Sequence, residues 1–240
     1  MIGHDSTLAE ARPSLSAIEA KPRYTTGSPI LDFTLGGLVP RGTYLIEAEA
    51  ARLDELVYRM LIELTAVHAL TPLVIECGSN FNPYRVAEIA RTRGYSAGAV
   101  LENTFIVRPF TAYQLNTFFS ERVPEFMSRA DVLIFSHLTH LFHGRDAPLS
   151  DALIILDEAL RELSALKKEK LLVITARIED KVRRVVRAKL AGFADTWLSF
   201  SMRRRAARIK LHRSRELLPC ELEIPLTQAN QLTIEAFIGR

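Results

Sequence analysis

Apolar residues along the chain fall into short continuous runs separated by longer amphipathic stretches, and that alternation dictates the elements. The runs Thr43–Ala50, Leu73–Cys77, Thr104–Phe110, Asp131–Leu138 and Lys170–Arg177 read as buried strands. Between them, Arg52–Leu70 sets Leu53, Leu56, Val57, Met60, Leu61 and Leu64 on one helical face. Asn82–Gly94 reads as a helix with Pro83 in its first turn and Gly94 after its end. Tyr113–Arg129 is helical with a break expected near Pro124, and Leu149–Lys170 is the clearest helix, with Ser150 as its expected cap and a basic last turn. A short helix is expected at Ile30–Leu35, stopped by Gly36 and Gly37.

From about residue 195 the pattern changes to consecutive strands: Ala194–Met202, Ala206–Ser214, Glu221–Thr227 and Gln231–Phe237. Alternating strands and helices imply a mostly parallel sheet covered by helices on both faces, and the closing strands imply hairpins that extend its edge. Residues 1–24 have no periodic face and are expected to be a flexible N-terminal segment, with one core domain over 25–240.

Composition narrows the class. The 240 residues are 48% hydrophobic and 25% charged, an ordinary globular balance. Cys77 and Cys220 form neither a metal-type pair nor a disulfide framework. No apolar run is long enough to span a membrane and the first residues lack a signal core, so a soluble cytoplasmic protein is expected.

Four segments, in order, resemble the RecA/RadA recombinase superfamily. TGSPILDFTLGGLVPRG resembles the segment before its P-loop, and ECGSNFNPYRVAEIARTRG its acidic-x-x-x-x-Phe-x-Pro-x-Arg strand–helix unit. VLENTFIVRPFTAYQL resembles its third strand and following helix, and ADTWLSFSMRRRAARIKLHRSRELLPCELEI its closing hairpin region. The resemblance covers about residues 25 to 235 and implies an α/β RecA-like P-loop NTPase core with a C-terminal antiparallel extension. KaiC-type proteins and the RecA-like Elongator subunits share that fold.

The chemistry of such a core is missing. A P-loop needs glycines so that backbone amides wrap phosphate, a lysine for the β- and γ-phosphates, and a hydroxyl for magnesium. The family's pattern falls on Glu49–Leu56: its glycines become Glu49, Arg52 and Asp54, its lysine Glu55 and its hydroxyl Leu56. The metal-associated aspartate after the fourth strand matches Ser136, and the water-activating glutamate after the second matches Gly78, with Glu76 two residues earlier. The γ-phosphate sensor falls near Ala176 and Arg177. The expectation is a protein that is not an enzyme and uses no cofactor. An active ATPase with a divergent pocket is the weaker alternative. His137, His140 and His143 are spaced on one helical side but straddle a strand end and a loop, and read as packing or loop residues rather than metal ligands.

Charge is unevenly spread. Arg177, Lys181, Arg183, Arg184, Arg187 and Lys189 form one basic segment; Arg203, Arg204, Arg205, Arg208, Lys210, Arg213 and Arg215 form another. They hold 13 of the 31 basic residues and 2 of the 28 acidic ones, so the rest of the chain carries a formal −8. In the resembled recombinases the segment after the fifth strand, here 177–193, is a DNA-contacting loop, and the first such loop falls at 143–148, where only Arg145 is basic. Contacts to the phosphates of single-stranded DNA are the expectation for these residues. A solvated sheet edge or an acidic protein partner is the alternative.

The resemblance thus implies a catalytically inactive paralogue acting in DNA recombination or repair, with an active RecA/RadA-type recombinase or another paralogue as partner. The alternative is a structural subunit of a homo- or hetero-oligomeric ring without DNA binding. Residues 1–26 contain no phenylalanine, so the Phe-x-x-Ala self-assembly tether of active recombinases is absent there.

Overall fold

The computed structural model describes residues 22–142, 148–177, 184–203 and 206–225. Eight strands form one sheet: β1 (Thr43–Ala48), β2 (Pro72–Glu76), β3 (Phe105–Val107), β4 (Val132–Ser136), β5 (Leu171–Arg177), β6 (Thr196–Arg203), β7 (Ala206–Arg213) and β8 (Cys220–Pro225). Their order is β3-β2-β4-β5-β1-β6-β7-β8. Every pair from β3 to β6 is parallel, and β7 and β8 continue the sheet antiparallel. The mostly parallel sheet with an antiparallel C-terminal edge is therefore as the sequence pattern implies. The expected last strand, Gln231–Phe237, lies outside the described residues.

The parallel strands are apolar at nearly every position because both faces are covered. Tyr44, Ile46, Val74, Ile134 and Val173 point into one core layer, with helices α1 (Pro29–Leu35), α2 (Ala50–Ile62), α3 (Pro83–Thr92) and α4 (Ala97–Glu102). Leu45, Ile75, Phe135 and Ile174 point into the other, with α5 (Ala112–Thr117), α7 (Leu149–Leu166) and α8 (Arg184–Phe193). Residues 22–24 are tied to the core by paired backbone bonds of 2.8 and 2.7 Å between Tyr24 and Leu38.

Local chemistry sets the helix boundaries. Gly36 stops α1 in a left-handed conformation, φ 67°. Asn82 caps α3 through the amides of Tyr84 and Arg85, with Pro83 in the first turn. The break expected at Pro124 falls earlier, in a π turn at Phe118–Arg122, and Pro124 sits instead in the first turn of α6 (Val123–Met127), where its missing N–H is harmless. Ser150 does not cap α7: the helix starts at Leu149, so Ser150 is already inside it and its hydroxyl donates to Asp151 at 2.9 Å. The expected basic last turn falls just beyond α7, which ends at Leu166 with Lys167 as its cap residue. Among the described residues, no helix is long and apolar enough to cross a membrane.

Connections fix where a site can form. β1 and β2 lead into helices on one face, whereas β4 and β5 lead into α7 and α8 on the other. In open α/β sheets, such a reversal leaves a crevice at the carboxyl ends of the strands, where ligands ordinarily bind.

Candidate functional site

The crevice is occupied by the protein's own side chains. A single residue, Glu49, separates the end of β1 from the start of α2. The amides of Arg52 and Leu53 both turn back to the Glu49 carbonyl, at 3.0 and 3.1 Å. The stretch aligned with a phosphate-wrapping loop is thus helix from Ala50 onward, and Arg52 and Leu53 have spent their amides inside it.

Asp54, on the second turn of α2, reaches across the crevice. Its Oδ1 lies 2.6 Å from His137 Nε2 at the end of β4, and both its oxygens accept from Asn80 Nδ2, at 2.8 and 2.7 Å. His137 is fully buried and left-handed, φ 55°. Its backbone N–H donates to Thr175 Oγ1 on β5 at 2.8 Å, and Arg177 Nε, at the end of β5, donates to its Nδ1 at 3.0 Å. Arginine has only donors, so Nδ1 is an acceptor and the ring proton sits on Nε2, facing Asp54. An Asp–His pair acts as a general base only when the second nitrogen is open to a nucleophile or water. Here that lone pair is held by a guanidinium.

Glu76, at the end of β2, is hydrogen-bonded through one oxygen and faces an arginine with the other. Oε1 accepts the amides of Gly78 and Asn80 at 2.8 and 3.4 Å, and Arg108 Nε lies 3.0 Å from Oε2. Gly78 is required by this packing. A Cβ there would come within 2.5 Å of Asn80 Oδ1, 2.8 Å of His137 Cδ2 and 2.9 Å of Arg177 Nη2. Tyr58 clamps the same loop: its hydroxyl donates to the Asn80 carbonyl at 3.2 Å and accepts from Asn82 N at 2.9 Å. Burial raises its pKa above the ordinary value. The whole arrangement sets the Asp54 and Glu76 carboxylates in the crevice at the carboxyl ends of the strands.

Among the described residues, no three His, Cys, Asp or Glu side chains converge to hold a metal. His140 lies on the 3-10 turn Leu138–Phe142, and His143 is outside the described residues.

The basic residues with described side chains divide into three groups. Arg177 is drawn into the crevice cluster. Several others are matched by acids or carbonyls: Arg187 donates to buried Glu47 at 2.5 Å, Lys189 to Asp157 at 2.6 Å, Arg208 lies 3.2 and 3.0 Å from Glu221 and Glu223, Lys210 3.9 Å from Glu221, and Arg215 2.6 Å from Asp195. Arg213 caps the end of α8 through the carbonyls of Ala191, Gly192 and Ala194. Arg184 is exposed at the start of α8. Lys181, Arg183, Arg204, Arg205 and the Arg203 side chain lie outside the described residues. The segment 177–193, expected as a loop, is helical from Arg184, because Val186, Leu190 and Ala191 pack against the second core layer. Trp197 is partly buried, stacked on His212 at 4.2 Å, and donates to Glu47 at 2.9 Å.

Sequence reasoning missed the Asp54–His137–Arg177 cluster. Its one local signal was a polar pair, Ser136–His137, closing an otherwise apolar strand. A scan against protein-family models gives no match to the chain, and a search of curated proteins gives no relative.

Proposed function

We propose that the chain is a non-catalytic RecA-like paralogue: a core whose nucleotide crevice is closed from within, serving as an accessory partner of an active RecA/RadA-type recombinase or another paralogue in DNA recombination or repair. The carrying observation is the crevice itself, in which Asp54 on α2, Asn80 after β2, His137 after β4 and Arg177 on β5 are joined by hydrogen bonds, and a one-residue connection stands where a phosphate-wrapping loop would be. These side chains are arranged to hold the crevice shut, not to move protons or bind phosphate.

Single-stranded DNA is the second partner in this reading. β5 and β6 both pair parallel with β1, one on each side, so the chain leaves both strands at the same, carboxyl end of the sheet. Arg177 and Arg203 mark those exits, and Arg184 stands where the chain returns into α8. Phosphate-backbone contacts from this end of the sheet would be independent of base sequence and strongly dependent on salt. The ion pairs of Arg208 and Lys210 with β8 favour the second reading, a structural subunit in a hetero-oligomer without DNA contact.

Fluorescence anisotropy with labelled single-stranded DNA, alone and with a recombinase partner, separates the two. The DNA reading expects binding that weakens at least tenfold as salt rises from about 50 to 200 mM, and that Arg184→Glu diminishes. Absence of binding in both arms leaves the structural reading.

A further inference from the structure

At the opposite end of the parallel strands, where β1 begins, the described residues line an open cavity of about 340 Å³. It is lined by the entry to β1 (Arg41, Gly42, Tyr44), by Asp195 before β6, and by the turn after β7 that carries Arg215. That volume is at the low end of small-molecule sites.

The feature that distinguishes it is Arg41. Val39 to Gly42 forms a turn closed by the Gly42 N–H on the Val39 carbonyl at 2.9 Å. Pro40 takes the second position and Arg41 the third, with φ 62°. That third place ordinarily goes to glycine or asparagine. The glycine is instead the next residue, where a Cβ would meet Tyr44 Cε2 at 2.7 Å and the Val39 carbonyl at 2.9 Å. Close packing therefore holds the glycine at 42, and the left-handed place falls to an arginine. The other left-handed basic residue, His137, is held by Asp54 and Arg177. Arg41 is exposed and has no partner among the described residues. Backbone strain that no internal contact compensates is the kind found at binding sites.

The surroundings favour an anion. The Asp195 carboxylate is taken up by Lys167 at 2.7 Å, Arg215 at 2.6 Å and the Thr43 amide at 3.1 Å. Glu216 is paired with Arg23. In the cavity lining, Arg23, Arg41 and Arg215 stand against these two carboxylates, and Lys167 behind the lining adds a further cation on Asp195. Buried Tyr44 adds a hydroxyl that accepts from Val39 N at 2.7 Å and keeps its own proton to donate.

We infer that this cavity binds a small organic anion carrying a phosphate monoester or a carboxylate, with Arg41 as the residue that grips it. A guanidinium fork matches either group in two parallel hydrogen bonds, which a lysine cannot do.

The test titrates the full chain with glycerol 3-phosphate and, separately, with succinate, at chloride-matched ionic strength, by calorimetry and by thermal melting. Saturable binding of one probe is expected, with Kd raised at least tenfold in Arg41→Gly, while the ligand-free Tm of that variant equals or exceeds the parent's. Arg41→Asn, which also accepts a left-handed backbone, should behave as the glycine variant does, and serves in its place if that variant melts lower. Which probe saturates assigns the ligand to the phosphates or to the carboxylates. Saturable binding that both variants retain, or no saturation by either probe beyond the chloride control, overturns the assignment.

Discussion

Removing the Asp54 carboxylate is the sharpest perturbation of the crevice. Asp54→Ala deletes the acceptor of the His137 Nε2 proton, 2.6 Å away, and of the Asn80 amide, at 2.8 and 2.7 Å. His137 is fully buried, so its stranded N–H costs about 1–3 kcal/mol, and loss of the charge-assisted bond from Asn80 adds about 1–2 kcal/mol. The Asp54 side chain is itself 24% exposed, so little desolvation is recovered by deleting it. The net loss is about 2–5 kcal/mol. In urea, with a slope of about 3 kcal/mol/M, the midpoint should fall by about 1 M with the slope unchanged. Combining Asp54→Ala with His137→Ala should give less than the sum of the two single losses, by about 1–3 kcal/mol, because both remove the same contact. A single-variant loss under about 0.5 kcal/mol, the range of ordinary surface substitutions, would refute the view that this cluster holds the crevice closed.

Gly78→Ala should destabilise by about 1–3 kcal/mol, since its methyl would lie 2.8 Å from the His137 ring and 2.9 Å from Arg177 Nη2; an unchanged urea midpoint would contradict the packing described. Burial lowers the pKa of His212 below its ordinary value of 6.5, so the unfolded chain binds the proton more readily than the native one. The corresponding stability is complete above pH 6.5 and is lost as pH falls toward the folded value; Trp197, the single tryptophan, should report the change by quenching as the stacked imidazole charges, and His212→Asn should abolish that titration. Cys77 is buried with its thiol pKa pushed well up, whereas Cys220 is exposed, so a thiol reagent should label one cysteine per native chain and both in denaturant.

The parallel sheet was legible because strands buried on both faces must be apolar throughout, and LVIE, VLIF and LLVIT carry that signature without ambiguity. The antiparallel edge was legible from strands following one another with no helix between them. The short helix α4 was not, since six residues held by the Ser96 cap leave no periodic face to detect. Neither π turn, at Glu63–Val67 after α2 or at Phe118–Arg122, was visible, because each inserts into a helix without changing its composition. The crevice was half legible: Glu49–Leu56 lacks the glycines, lysine and hydroxyl of the P-loop it was compared with, but no local signal showed which side chains meet there. Asp54 and His137 are 83 residues apart, and Arg177 a further 40, so no local window joins them. For the same reason Arg177 reads from sequence as one more surface cation, whereas the fold turns it inward onto an imidazole nitrogen.

The central claim is that the crevice at the carboxyl ends of β1, β2, β4 and β5 is filled by the chain's own side chains and admits no nucleotide. Calorimetric titration of the purified protein with ATP and magnesium tests it most directly. The account predicts no saturable heat up to millimolar ATP, and no phosphate release above the buffer blank. Saturable binding at micromolar Kd that Asp54→Lys strengthens or abolishes would place nucleotide in the crevice and contradict it.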